Sequence, residues 1–263
     1  MKRLFHLIRE TLGRVTPTTI VDWYRITRYG KTWYDPKGQP IRKVFSEIYR
    51  RRLWGEGEDG SPFYSGPGSE AGVSEPYVQV VGEFIEASGI TSIVDVGCGD
   101  FRVGSRLVRP GLSYHGVDVV SDLIRYNSER FSSDHITFRC GDITVDELPV
   151  GDLCLIRQVL QHLSNDQVAQ VLARCEKYPY LIVTEHLPDQ TKPWTANLDI
   201  HHGDQTRVDR HSGLLLDGPP FNRAVERILC EVQLPDQTIL RSVLLVNREA
   251  RRRLTRPIGA GSQ

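Results

Sequence analysis

Short apolar runs alternate along this chain with segments of helical spacing. Runs rich in β-branched residues at 91–97, 113–119, 135–140, 152–158, 180–186 and 238–247 predict strands. Between them, 101–108, 121–131 and 165–177 predict helices, the last opened by the capping residues Ser164, Asn165 and Asp166. Another helix is expected from about Ser74 to Ser88, stopped by Gly89. Apolar strands alternating with helices predict an α/β fold, a doubly wound and mainly parallel sheet.

The rest of the chain breaks this rhythm. Residues 1–60 read as a basic and aromatic helical extension, 61–250 as the α/β domain, and 251–263 as a flexible basic tail. Residues 54–72 are rich in glycine, proline and serine and predict a long loop of the kind that is often functional. Residues 187–222 are polar and aperiodic, and are expected to form an insert over the carboxyl edge of the sheet.

Composition narrows the classes. The chain has 263 residues, 39% of them hydrophobic, and a formal net charge of zero, so nothing global points to nucleic acid. Five scattered cysteines, with no Cys-x-x-Cys, point to free thiols in a reducing, cytoplasmic setting. No apolar run is long enough to span a bilayer. Residues 1–31 carry an excess of five positive charges, with Leu4, Leu7, Ile8 and Leu12 near helical spacing. That pattern fits a helix packed on the domain, or a peripheral contact with an anionic membrane.

The chemistry concentrates at Ser92-Ile-Val-Asp-Val-Gly-Cys-Gly-Asp-Phe101, a strand that ends in an acid and two glycines. A dinucleotide site would need a third glycine where Arg102 stands, and Asp100 would repel pyrophosphate. A cationic ligand without phosphate suits this mouth better. Ligands of such sheets lie beyond the carboxyl ends of the strands. Asp95, Gly97, Gly99 and Asp100 close the first strand. Asp118 and Val119 end the second, 23 residues after Asp95, near the spacing at which an acid meets ribose hydroxyls. Asp142 and Ile143 follow the third, Arg157 and Gln158 the fourth.

Residues 91–186 resemble the core of the class I, Rossmann-like S-adenosylmethionine-dependent methyltransferases. The resemblance implies a seven-stranded sheet whose last strand, here 238–247, is antiparallel. It implies S-adenosylmethionine as cofactor, with its methionine part on the Gly97–Gly99 loop, ribose on Asp118, and adenine on Asp142 and Ile143. A narrower likeness is carried by Trp54-Gly55, Ser65-Gly-Pro-Gly-Ser69, His162-Leu-Ser164, Asn197-Leu-Asp-Ile200 and Pro220-Phe221. It resembles a bacterial methyltransferase group associated with polysaccharide or natural-product genes, and implies a glycan or small-molecule acceptor. Gly203–Arg207 and Gly213-Leu-Leu match that group more loosely, which leaves the substrate open.

O-methylation needs a base near the methyl group. His162, after the fourth strand, is the first candidate; Asp199 with His201 is the second. Glu185, Asp199 and His201 could instead hold a divalent metal, although no spacing matches a closed zinc site and no metal is the favoured reading. Tyr64 and the Ser65, Gly66 and Ser69 loop are expected to close over the cofactor. Two other classes remain: a methyltransferase acting on a macromolecule, and a non-catalytic cofactor-binding partner protein. The oligomeric state is not legible.

Overall fold

The computed structural model describes residues 36–57 and 59–247. The expected N-terminal membrane or packing helix and the basic tail lie outside these residues. No helix among the described residues is long and apolar enough to cross a membrane.

Seven strands form one sheet: β1 (Ser92–Val96), β2 (Ser113–Asp118), β3 (Ile136–Cys140), β4 (Leu153–Arg157), β5 (Tyr180–Leu187), β6 (Arg227–Gln233) and β7 (Ile239–Val246). Their order is β3-β2-β1-β4-β5-β7-β6. The first five pair in parallel, and β7 runs antiparallel to both β5 and β6. The expected doubly wound sheet with an antiparallel last strand is therefore what the chain builds.

Among the described residues the α-helices are α1 (Ile41–Arg50), α2 (Ala71–Ala87), α3 (Ser121–Phe131) and α4 (Asn165–Cys175). Alternation along β4 shows how both sheet faces are covered. Leu153 and Leu155 pack in the cluster that holds Tyr77, Val81, Phe84 and Ile85 of α2. Cys154 points the other way, to Cys175 of α4, with the two sulfurs 3.8 Å apart. Helix α4 starts where the sequence predicts, with a full capping box between Ser164 and Gln167.

Three expectations are corrected. Residues 101–108 form no α-helix, only a 3-10 turn at Gly104–Arg106. Phe101 adopts φ +62°, outside the right-handed region, and buries its ring against Tyr114, Phe131 and Phe138. Strand β6 was not foreseen, because it is an edge strand, half exposed and bulged between Ile228 and Cys230. The boundary at residue 60 does not divide the fold, since Phe45 and Trp54 line the same cavity as the carboxyl ends of β1 and β4.

Candidate active site

A cavity of about 680 Å³ opens at the carboxyl edge of the sheet. All the residues read as cofactor-binding line it: Asp95, Gly97, Gly99, Asp100, Asp118, Val119, Asp142, Ile143, Arg157, Gln158, Ser65, Gly66 and Ser69. His162 lines it as well.

The glycine turn is shaped by φ and by space together. Gly97 and Gly99 have φ +75° and +55°. A Cβ at Gly97 would overlap Val159, and one at Gly99 would overlap Ser65. The turn is then tied from three sides. Gly99 donates its amide to Asp118 Oδ2 at 3.1 Å, and its carbonyl accepts from buried Asn127 at 2.8 Å. Asp118 Oδ1 accepts from the Val120 amide at 3.0 Å. Burial raises the Asp118 pKa against these amides. Burial also pushes Asp95 up to about 6, opposed by the Tyr114 hydroxyl 2.5 Å away and by Arg157.

The loop before α2 is held down at both ends. Ser65 donates its amide to Asp100 Oδ2 at 3.0 Å, and the Asp100 amide donates to Ser65 Oγ at 2.8 Å. Tyr49 of α1 meets the same hydroxyl at 2.9 Å. At the other end Arg157 donates to the Gly68 carbonyl at 2.6 Å and lies over the Tyr77 ring. Tyr64, expected in the lid, does not line the cavity. A Cβ at Gly68 would overlap the Gln158 amide, so a substitution there tests packing rather than lid motion.

His162 sits on the short turn Leu160–His162, and that turn is gripped by two buried side chains, Glu185 and Arg207. Glu185 accepts the Leu160 and Gln161 amides, each at 3.0 Å. Arg207, 1% exposed, donates to the carbonyls of Leu160, Leu163 and Leu198 and to Asn165 Oδ1. Burial pushes the Glu185 carboxyl up to about 8, against the two amides and Arg207. The His162 ring packs 5.2 Å from Trp54, and its Nδ1 lies 3.0 Å from the Gly203 carbonyl. A carbonyl can only accept, so Nδ1 carries the proton and Nε2 keeps its lone pair. Burial lowers the His162 pKa to about 4, against that carbonyl, so the ring is neutral at neutral pH.

The second base candidate is not brought to the cavity. Asp199 Oδ1 accepts the Asn165 amide at 2.7 Å and so caps the start of α4. His201 is exposed. The alternative metal set of Glu185, Asp199 and His201 does not assemble either, because Glu185 is spent on backbone amides under the His162 turn. No group of three or more potential ligands occurs among the described residues.

Sequence reasoning missed the opposite wall. Phe45 and Tyr49, spaced i, i+4 on α1, were legible as a helix stripe. His186 at the end of β5 was read from the sequence only as a possible metal ligand beside Glu185, although it followed the same strand-end rule as Asp118. Leu234, Pro235 and Asp236, in the β6–β7 turn, gave no signal once β6 was unseen.

Comparison with known proteins agrees with this geometry. Residues 93–178 match the model of a family described as a methyltransferase domain. The N-methyltransferase NodS from Bradyrhizobium japonicum WM9, solved with S-adenosyl-l-homocysteine, is 17% identical. The similarity covers 78% of this chain and 99% of that one, with a TM-score of 0.54. Magnesium protoporphyrin IX methyltransferase from Synechocystis PCC 6803, solved with bound SAM, is 14% identical over 80% of this chain and 99% of that one, with a TM-score of 0.52. No curated protein matches the chain. The fold is the Rossmann-like methyltransferase fold, and its central third, 93–178, matches the methyltransferase-domain model.

Proposed function

We propose that this protein is an S-adenosylmethionine-dependent methyltransferase that methylates a hydroxyl of a glycan or small molecule. One observation carries the cofactor assignment. The buried Asp118 carboxylate, 8% exposed, accepts the Gly99 amide on Oδ2 and the Val120 amide on Oδ1, and its remaining acceptor capacity suits the ribose hydroxyls. Asp142 fits adenine in the same way. Its Oδ1 is taken by Thr144, which leaves Oδ2 for an amino group. The carboxylates Asp95, Asp100 and Asp118 give the cavity a negative wall, suited to a ligand that carries a sulfonium and an ammonium. The bound cofactor would supply an electrophilic methyl group for in-line transfer.

The chain's own contribution is orientation and proton removal. Phe45, Trp54 and Leu234 give the acceptor side an apolar surface, and polar groups stand beside it. A histidine of that wall takes the hydroxyl proton. His162, one of two histidines there, has a neutral ring whose Nε2 lone pair faces the Gln161 side-chain amide at 3.3 Å.

Calorimetry with S-adenosylhomocysteine, using NAD and ATP as controls, tests the assignment. Selective micromolar binding is expected. Asp118→Ala is expected to weaken it about a hundredfold, as loss of hydrogen bonds to a charged group implies. Equal binding by the variant would overturn the ribose role.

A further inference from the structure

One polar chain on the cavity wall has no task in this scheme. His186 ends β5, is half-buried and lines the cavity. Its Nε2 lies 2.6 Å from Thr238 Oγ1. That hydroxyl lies 2.5 Å from Asp236 Oδ1, which also accepts the Thr238 amide at 3.1 Å. The sheet sets this up: His186 pairs with Leu240 on β7, and Thr238 stands just before that strand. Asp236, in the turn, also lines the cavity.

Proton counting fixes the tautomer. Against a partial burial cost, the hydrogen bonds from Thr238 and the nearby His186 hold the Asp236 carboxyl below its usual range, so it is ionised at neutral pH. An ionised carboxylate only accepts, so the single Thr238 proton goes to Asp236. Thr238 must then accept from His186, whose Nε2 carries the hydrogen. Nδ1 is left with a lone pair.

The two wall histidines differ in what an added proton would meet. At His162 it would land on Nε2, 3.3 Å from the Gln161 side-chain amide nitrogen, a donor, beside the rings of Trp54 and Phe45. At His186 it would be stabilised by a carboxylate relayed through one hydroxyl. The charges that act on His186 are Asp236 from the hairpin turn and Asp209 from the turn Arg207–Arg210. Both oppose a burial that lowers its pKa.

We propose that His186 is the group that receives the acceptor's proton, with Thr238 and Asp236 as its positioning residues. This rests on the methyltransferase reading. The acceptor O–H bond breaks as the new O–CH₃ bond forms and the S–CH₃ bond of the cofactor breaks. The proton goes to His186 Nδ1, while Nε2–H stays on Thr238 and the Thr238 proton stays on Asp236.

The probe is sinefungin, a cofactor analogue with an amine-bearing carbon in place of the methylated sulfonium. A bare Nδ1 beside the methyl position binds that amine. By calorimetry at pH 7.5, the wild type is expected to prefer sinefungin over S-adenosylhomocysteine by about tenfold, the scale of one hydrogen bond to a charged group. The preference should fade as pH drops and His186 protonates. His186→Gln and Thr238→Val should lose it while keeping S-adenosylhomocysteine affinity, Thr238→Ser should restore it, and His162→Gln should retain it. Nitrogen-15 NMR of the ring should show the Nε2–H tautomer. A preference that is absent, that survives His186→Gln or that vanishes in His162→Gln overturns the proposal, as does an Nδ1–H ring. If neither ligand binds the wild type, the methyltransferase reading itself fails and the proposal falls with it.

Discussion

The two halves of the cavity are built by different means. The cofactor half is local. Gly97, Gly99 and Asp100 lie within one turn, and Asp118 closes the neighbouring strand and bonds back to Gly99. The half proposed for the acceptor is assembled from distant pieces: Phe45 and Trp54 before the sheet, His162 on the turn after β4, His186 on β5, and Leu234 and Asp236 in the last hairpin. Local geometry is written in short motifs. Long-range geometry depends on buried clamps, of which Glu185 and Arg207 are the chief ones.

The sharpest way to break this contrast is to remove a clamp. Arg207→Leu strips four hydrogen bonds and leaves the carbonyls of Leu160, Leu163 and Leu198 without that donor. Each buried acceptor left unsatisfied costs about 1–3 kcal/mol, so a loss of several kcal/mol is expected. Urea unfolding should show that loss. Binding of S-adenosylhomocysteine by the folded fraction should change little, because the Gly97–Asp118 network does not touch Arg207. A parallel collapse of cofactor affinity would mean that the halves are not separable.

The His162 turn offers the next test. Its pKa is lowered from 6.5 to about 4, so between those values the unfolded chain binds a proton that the native one refuses. Stability is thus lost as pH falls from about 6.5 to 4, by an amount on the order of 3 kcal/mol. His162→Gln should flatten that part of the stability–pH curve relative to wild type. Curves of equal slope would show that His162 titrates normally.

The smallest effect is expected where the loop before α2 meets the cofactor half. Ser65→Ala removes the hydroxyl that accepts from the Asp100 amide and meets Tyr49. It should cost about 1 kcal/mol of stability. Faster dissociation of S-adenosylhomocysteine in stopped flow would show that this bond holds the loop over the ligand, whereas an unchanged rate would make the loop a fixed wall.

This contrast also explains what was legible in the sequence. Strand ends that carry an acid or a glycine could be read directly, because the turn, the side chain and the ligand contact lie within a few residues. Asp199 and His201 misled because a His-Asp pair looks alike in a cap and in a site. Only the fold shows that Asp199 is spent on the α4 amide. The helix expected at 101–108 failed for a tertiary reason, the positive φ with which Phe101 reaches the core. β6 was hidden because an edge strand with a bulge has no clean alternation. With it went the turn that supplies Asp236.

The antiparallel β7 carries a further consequence for how such proteins diversify. Because β6 runs parallel to β5, its chain reversal at 234–238 falls on the cavity edge, where the carboxyl ends of the other strands already lie. Lengthening a turn at that place adds little closure entropy and leaves the pairing of β5 with β7 intact. Insertion or deletion in that one short turn can therefore reshape the wall that carries Leu234 and Asp236, while Asp118 and the glycine turn stay as they are.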